Sequence, residues 1–160
     1  MSDRIGGRIV ILGVGNTLMS DEGLGVHVAR LLSEKPLPPD VEVIEGGINP
    51  IEMLGECSNI EKLVVVDAVE ADEPSGAVYR LPAEVLADGQ TPLSLHQFTL
   101  AQTLAEWRLQ GLGSERIVII GVQPHSLGWG TELSSEIASS LPAIAEAVLV
   151  EANATEGRRA

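Results

Sequence analysis

Two adjacent carboxylates, Asp21 and Glu22, lie in a glycine-rich stretch near the amino end of the chain. The stretch runs from Gly13–Asn16 (GVGN) to Asp21–Gly25 (DEGLG), where a helical pattern begins. A helix dipole favours negative charge at its amino end, so both carboxylates are expected to be ionised there. The alternative is a tight turn in which Asp21 is the helix N-cap. Dinucleotide binding is disfavoured because GxGxxG would require glycine at Leu18.

A third carboxylate, Asp67, follows directly after the apolar run Leu63–Val66. Desolvation of a carboxylate at the end of a buried strand is costly unless the group has a partner. This placement therefore indicates a metal, a cation or a catalytic role. The alternative is that Asp67 caps the following turn. If the first and third strands are neighbours in a parallel sheet, Glu22 and Asp67 overlook one crevice.

His96 follows Thr91–Leu95 (TPLSL) and opens a helical pattern that starts near Gln97. Two carboxylates and an imidazole form a ligand set suited to divalent first-row metals. Because three protein ligands leave coordination positions open, such a site can act on an incoming substrate. The alternative for His96 is a capping or packing role.

The other two histidines have different settings. His125 lies on the loop Pro124–Gly130 (PHSLGWG), after a late apolar strand, and could reach the rim of the same crevice. His27 lies inside the first helical pattern, where a surface or packing role is expected. The HExxH and GxSxG motifs are absent, so a peptidase on this chain would need an unfamiliar mechanism.

Short apolar runs alternate with helical patterns, which is typical of βαβ units. The predicted strands are Arg8–Leu12, Val41–Ile44, Leu63–Val66 and Ile117–Val122, with an edge strand at Ala77–Leu81 that Pro82 ends. The predicted fold class is α/β, a three-layer αβα sandwich around a mostly parallel twisted sheet of about five strands. Functional residues are expected just past the carboxyl ends of the strands.

Three segments carry an apolar face at helical spacing. They are marked by Leu24, Val28, Leu31 and Leu32, by Leu100, Leu104 and Trp107, and by Ile137, Leu141, Ile144, Ala145 and Val148. Pro142 is predicted to kink the last helix or to restart it with Ser140 as a new N-cap. Residues 1–152 are predicted to form a single domain and residues 153–160 a flexible tail.

Composition narrows the class of protein. The net charge of −13 repels phosphate backbones and anionic lipids, so nucleic acid and membrane partners are not expected. Cys57 is the single cysteine, which excludes an intramolecular disulfide and a Cys-rich zinc site. Because the sequence shows no signal peptide and no apolar run of membrane-spanning length, a cytoplasmic protein is predicted.

From about Arg8 to Val150 the sequence resembles the hydrogenase maturation endopeptidases, which trim the C-terminus of the large subunit of nickel-iron hydrogenases. The most specific part is the glycine-rich stretch, which is similar to the family's GxGN and D(E/D)GxG signature. Supporting elements follow in order at Val66–Ala68, Ser94–Gln97 and Gly121–Pro124. The sequence departs from the family pattern at Glu45–Ile48 (EGGI), where the family typically has aspartate first and threonine last. This departure points to a different substrate subgroup.

The resemblance implies that Glu22, Asp67 and His96 form a triad that engages nickel already installed in the precursor of the large subunit. Nickel would then arrive with the substrate rather than stay bound to the enzyme. Glu22 or Asp67 would act as general base on a water molecule. The enzyme is expected to work as a monomer.

Further substrate contacts are expected from five residues, Asn16, Asp21, Gly46, Gly47 and His125. Three alternatives to a nickel-dependent peptidase stay open. One is a metal-independent, aspartyl-type peptidase in which Glu22 and Asp67 share a proton. The second is a docking factor that senses loaded nickel without cleaving, and the third is a nucleotide-binding α/β domain.

Overall fold

A computed structural model of the chain describes residues 7–54, 60–82 and 116–154, together with residues 102, 105 and 109. All five predicted strands are present, and the first three extend further than predicted. The elements in chain order are strand β1 (Arg8–Val14), a 3-10 turn (Ser20–Gly23), helix α1 (Leu24–Ser33), strand β2 (Val41–Gly47), helix α2 (Pro50–Leu54), strand β3 (Ile60–Ala68), strand β4 (Val78–Pro82), strand β5 (Arg116–Val122) and helix α3 (Ser135–Asn153).

The five strands form one sheet in the order β2-β1-β3-β5-β4. Strands β2, β1, β3 and β5 are parallel, whereas β4 lies at the edge, antiparallel to β5, and includes Pro82, which pairs with Val118 and is the last described residue of this segment. Strands β1 and β3 are neighbours, with Gly13 opposite Val66. Their carboxyl ends therefore meet at one edge of the sheet, which is the geometry that the predicted crevice requires.

Helices cover both faces of the sheet. Because side chains alternate between faces along a strand, Ile9 and Ile11 point to one side and Val10 and Leu12 to the other. The first pair packs with buried residues of α1 and α3, and the second pair shares a cluster with Leu54 of α2. This arrangement confirms the predicted α/β sandwich around a mostly parallel sheet.

The apolar faces of α1 and α3 lie where the spacing predicts them. The buried members are Leu24, Val28 and Leu32 in α1 and Ile137, Ile144, Ala145 and Val148 in α3, with Leu31 and Leu141 half-buried against the same cluster. The predicted restart at Ser140 is wrong, because α3 runs without a break from Ser135 to Asn153 through Pro142. Ser140 donates its hydroxyl to the carbonyl of Glu136 instead, and Ser134 is the N-cap of the whole helix.

Other predictions fall partly on residues that the structure does not describe. His96, Cys57, Leu100, Leu104 and Trp107 lie outside the described residues. Three described residues of the predicted second helix, Gln102, Ala105 and Leu109, are helical and exposed, which agrees with the helix that the spacing of Leu100, Leu104 and Trp107 predicts. Helix α3 includes Asn153, the first residue of the predicted tail, and residues 155–160 are not described. Within the described parts of the chain, none of the helices has the length and apolar character that a membrane span requires.

A buried ion-pair network holds the end of α3 to the sheet. Lys62, only 2% exposed in β3, donates to the carboxylate of Glu151 at 2.9 Å and also to its backbone carbonyl. Arg80 of β4 donates to the second carboxylate oxygen. Burial alone would raise the pKa of Glu151, but the hydrogen bonds and charges of Lys62 and Arg80 outweigh it and lower the pKa. Lys62 lies level with Arg116, the first residue of β5, so the network is at the amino end of the sheet.

Replacement of Glu151 by alanine is expected to reduce the free energy of unfolding by about 3–5 kcal/mol at neutral pH, because the buried Lys62 would lose its carboxylate partner and keep only the backbone carbonyl of residue 151. The lowered pKa also sets a pH dependence. The folded protein keeps Glu151 ionised while the unfolded chain binds a proton, so the contribution is lost as pH falls below about 4.5. Urea unfolding at several pH values measures both effects. Glu146→Ala, an exposed change on the same helix, is the control and should cost less than about 0.5 kcal/mol.

Candidate active site

The glycines of the GVGN and DEGLG segments allow the loop after β1 to lie against the 3-10 turn without intervening side chains. A Cβ added to Gly15 would lie 2.0 Å from the carbonyl oxygen of Glu22, and one on Gly23 would lie 2.7 Å from the Cα of Thr17. Gly15 also has φ of +141°, a conformation that favours glycine. The backbone of Glu22 is thereby fixed against the end of β1.

Gly25 brings this assembly into contact with β3. A Cβ at Gly25 would lie 2.2 Å from the carbonyl oxygen of Val66 and 2.4 Å from that of Val14. The first turn of α1 therefore rests on the ends of β1 and β3, and the 3-10 turn that carries Glu22 packs against β3. Asp67 is the residue after Val66. Glu22 and Asp67 thus occupy the same edge of the sheet, which is where strand order predicts them.

Asp67 is a buried carboxylate within strand β3, one residue before the strand ends, whereas the sequence predicts that it follows the strand. It is 1% exposed, lies opposite Gly121 of β5, and accepts a hydrogen bond from the backbone N–H of Ala68 at 2.8 Å. Glu22 is half-buried. Among the described residues, no group of three or more His, Cys, Asp or Glu side chains is placed to hold a metal ion. The predicted third ligand, His96, is not one of those residues.

Asp21 has a different setting from its neighbour Glu22. It is fully buried, and its carboxylate accepts hydrogen bonds from the backbone N–H groups of His125, Ser126 and Ser134 and from the Ser134 hydroxyl, at 2.7–2.9 Å. Burial would raise the pKa of Asp21, but these hydrogen bonds lower it overall. The N-cap alternative is wrong, because Gly23 is the N-cap of α1. Both carboxylate oxygens of Asp21 are engaged by these four hydrogen bonds within the protein, so any effect of Asp21 on a substrate would be indirect.

The loop that Asp21 holds lies along the 3-10 turn. The backbone of Asp21 donates to the carbonyl of Ser126, that of Ser20 donates to Gly130, and that of Gly130 donates to Leu18. His125 is 49% exposed, with Nδ1 3.2 Å from the hydroxyl of Ser75 and Nε2 3.6 Å from Glu136. The loop after β5 therefore reaches the same edge of the sheet as Glu22, and the side chain of His125 on that loop contacts Ser75 and Glu136.

A groove of about 330 Å³ opens beside this edge. Its walls come from the loops after β1 and β2 and from α1, and it is lined by Gly15, Asn16, Thr17, Leu18, Val26, Arg30, Glu45, Gly47 and Ile48. Gly47, with φ of +56°, accepts a hydrogen bond from the N–H of Gly15. Two predicted contact residues, Asn16 and Gly47, thus line the groove. Gly46 is buried, since a Cβ there would lie 2.7 Å from Leu12.

The two residues that depart from the family pattern also line this groove. Glu45 forms an ion pair with Arg30, with Nε 2.9 Å from Oε1, and both side chains are about half exposed. Ile48 is 65% exposed at the rim. A charge pair and an apolar side chain therefore replace the expected aspartate and threonine, and the groove differs in chemistry from the common pattern.

Several contributors to this edge were not predicted from the sequence. Arg30, Leu18 and Ser134 belong to no sequence motif, and Ser134 is 113 residues away from Asp21 in the sequence.

His27 is half-buried, and its Nε2 has no hydrogen-bond partner within the described part of the chain. Burial, then the nearby Arg30, lowers the pKa of His27, so the imidazole is held neutral in a packing role.

Comparison with known proteins identifies the family. The sequence model of the hydrogenase maturation protease family matches residues 26–151. Hydrogenase 2 maturation protease of Escherichia coli K12 is 35% identical over 123 residues, which is 75% of each chain. Hydrogenase expression/formation protein HupD of Rhodobacter capsulatus is 34% identical over 146 residues, covering 88% of this chain and 70% of the relative.

Solved structures agree with this result. The hydrogenase maturating endopeptidase HybD of E. coli superposes with a TM-score of 0.80 at 33% identity, over 90% of this chain and 91% of that one. The [NiFe] hydrogenase maturation protease HybD of Thermococcus kodakarensis gives 0.75 at 26% identity, over 91% and 99%. The fold and the sequence define a peptidase, and the chain belongs to the hydrogenase maturation protease family.

Gly25→Ala tests the packing that places Glu22 beside Asp67. The added methyl group would overlap the backbone carbonyls of Val14 and Val66, which cannot rotate away, so we expect a loss of unfolding free energy of about 1–3 kcal/mol or more. Gly128→Ala is the matched control, since nothing lies within 4 Å of its added Cβ. Equal stability of the two variants in urea unfolding would show that the turn is not held by this contact.

Proposed function

We propose that this protease removes the C-terminal extension of a nickel-iron hydrogenase large-subunit precursor after nickel has been inserted. Nickel reaches the site as part of the substrate. The observation that carries the proposal is the packing of the Glu22 turn on the end of β3, which holds two carboxylates at one edge of the sheet. The substrate is inferred from the names of the relatives, which are hydrogenase maturation proteases.

In this proposal Glu22, Asp67 and His96 complete the coordination of the substrate's nickel. Carboxylate oxygen and imidazole nitrogen are suitable ligands for a divalent first-row metal. Coordination fixes the precursor relative to the enzyme, so the scissile peptide bond is placed by proximity and no covalent nucleophile is needed.

One carboxylate, Glu22 or Asp67, then acts as general base. It takes a proton from a water molecule whose oxygen attacks the scissile carbonyl carbon. The carbon–nitrogen bond breaks, and the proton passes to the leaving amine. Both carboxylates are at least partly shielded from solvent, and a lower local dielectric strengthens their interaction with a cation.

The groove beside this edge is the proposed site for the peptide that flanks the scissile bond. Gly47 has no side chain, so a peptide can approach its backbone. Asn16 can form hydrogen bonds through its side-chain amide, and the Arg30–Glu45 pair supplies charged groups at one end. Because Ile48 takes the place of a hydroxyl residue, this groove should select an apolar side chain at the matching position. We also infer that the enzyme acts in the cytoplasm as a monomer.

The triad is tested by conservative substitutions. Asp67→Asn, His96→Gln and Glu22→Gln should each lower the rate of precursor cleavage at least about 100-fold, because a neutral amide is a poor ligand and a poor base. Mass spectrometry of a purified, nickel-loaded precursor measures the rate, and circular dichroism checks the fold. Asp72→Asn is the matched control: it makes the same change at an exposed residue with φ of +57°, which asparagine tolerates. Normal processing by Asp67→Asn or His96→Gln would refute the triad.

The role of nickel is tested with the substrate rather than the enzyme. We expect the nickel-free precursor to stay uncut and reconstitution with nickel to restore cleavage, because the coordination that positions the scissile bond would be missing. Efficient cleavage of the nickel-free precursor would favour the aspartyl-type dyad of Glu22 and Asp67. Binding of the loaded precursor with an intact C-terminus would favour a docking factor.

A further inference from the structure

The most exposed aromatic side chain among the described residues lies on the loop that Asp21 holds. Trp129 is 84% exposed, between Gly128 and Gly130, and Leu127 beside it is 44% exposed. Exposed apolar side chains that form a contiguous patch commonly mark a protein contact. Trp, together with Tyr and Arg, is enriched among the residues that dominate binding energy.

The loop is anchored at both of its ends. The buried carboxylate of Asp21 binds the N–H groups of His125 and Ser126 before Trp129, and that of Ser134 after it. Gly130 exchanges backbone hydrogen bonds with Ser20 and Leu18. Trp129 is therefore presented on an ordered loop, so little conformational entropy is lost when a partner covers it.

This surface is continuous with the groove. Leu18, whose carbonyl accepts from Gly130, lines the groove and is itself 55% exposed. We call Leu18, Leu127 and Trp129 the apolar rim. Residues 13–20 contain no charged side chain, and residues 124–131 contain only His125, in a chain with net charge −13. The two segments that carry the rim therefore contain no carboxylate in a strongly acidic chain, and the nearest charged groups of the groove are the paired Arg30 and Glu45.

We propose that the apolar rim is a docking surface for the folded body of the protein substrate. A protease acts on a polypeptide, and a chain bound in the groove would lie against its lining, which includes Leu18, so the protein to which that chain belongs is the partner best placed to cover the rim. The inference rests on the proposed function for the identity of that partner, the large-subunit precursor. The rim contacts protein and not metal, so its contribution to binding should be the same with and without nickel.

The first test is Trp129→Ser, with Val150→Ser as the matched control. Val150 is 63% exposed on α3, next to Glu151 at the opposite end of the sheet. Trp129→Ser should raise the Kd for the nickel-free precursor roughly tenfold or more, and lower kcat/KM for the loaded precursor by the same factor. Trp129→Phe, which keeps an aromatic ring, should restore most of the affinity. Unchanged Kd for both Trp129→Ser and Leu127→Ser, with folding verified, would overturn the inference.

A second measurement leaves the surface intact. The protein labelled with 5-fluorotryptophan gives one ¹⁹F resonance for each of its two tryptophans, and Trp129→Phe identifies that of Trp129. Titration with unlabelled precursor should shift or broaden the Trp129 resonance. A Trp129 resonance that stays sharp and unshifted while the precursor binds would overturn the inference.

The two proposals fail in different ways. If the precursor binds in a Trp129-dependent manner but its C-terminus stays intact, the rim is a docking surface and the proposed function is wrong. If the loaded precursor is cut equally well by Trp129→Ser, Leu127→Ser and the unmodified protein at subsaturating concentration, the proposed function stands and the rim is wrong. If the precursor neither binds nor is cut, both are wrong.

Discussion

The first turn of α1 lies directly on the carbonyl groups of Val14 and Val66, with no room for a side chain at Gly25. Protein interiors are close-packed, so this contact leaves the turn a single position relative to β1 and β3. Glu22 precedes the contact by three residues and Asp67 follows Val66 by one. The relative position of Glu22 and Asp67, which come from distant parts of the sequence, is thus constrained by contacts between backbone atoms. The other two features of this edge are the groove and the loop after β5, which Asp21 holds by hydrogen bonds. Both are formed around that turn.

Asp21 and Glu22 are adjacent and chemically alike, yet the structure gives them separate tasks. Asp21 turns inward, where four hydrogen bonds compensate for the desolvation of its charge. The negative charge of Asp21 is satisfied by hydrogen bonds within the protein. These bonds hold the loop that follows β5 against the 3-10 turn. Glu22, half-buried, stays near the surface. One carboxylate therefore holds the scaffold in place, and its neighbour is partly exposed at the same edge of the sheet; a fixed supporting structure is a common requirement of a preorganised site.

The sequence predicts most of the fold because its signals are local. Apolar runs identify the strands, alternation with helical spacing identifies the α/β class, and the glycine-rich stretch marks the turn that carries Glu22. The failures involve long-range contacts. Ser134 as the partner of Asp21, and Glu151 as the partner of the buried Lys62, are separated in sequence by 113 and 89 residues, and no local pattern reports them. Pro142 shows a second kind of failure: tertiary packing of α3 on the sheet keeps the helix continuous where local preference predicts a new start.

The two ends of the sheet treat their charged residues differently. At the amino end, Lys62 and Glu151 form a buried ion pair, so breaking the pair lowers the free energy of unfolding. At the carboxyl end, Asp67 is buried at the end of its strand, and Glu22, the groove and the apolar rim remain accessible around it. The electrostatic field of the negatively charged chain is screened within about 8 Å at physiological ionic strength. It can therefore influence how a partner approaches, but it cannot fix the position in which the partner binds. The position in which a partner binds must therefore be fixed by direct contacts, and the two loop segments that carry Leu18 and Trp129, residues 13–20 and 124–131, contain no carboxylate that a contact there would have to desolvate.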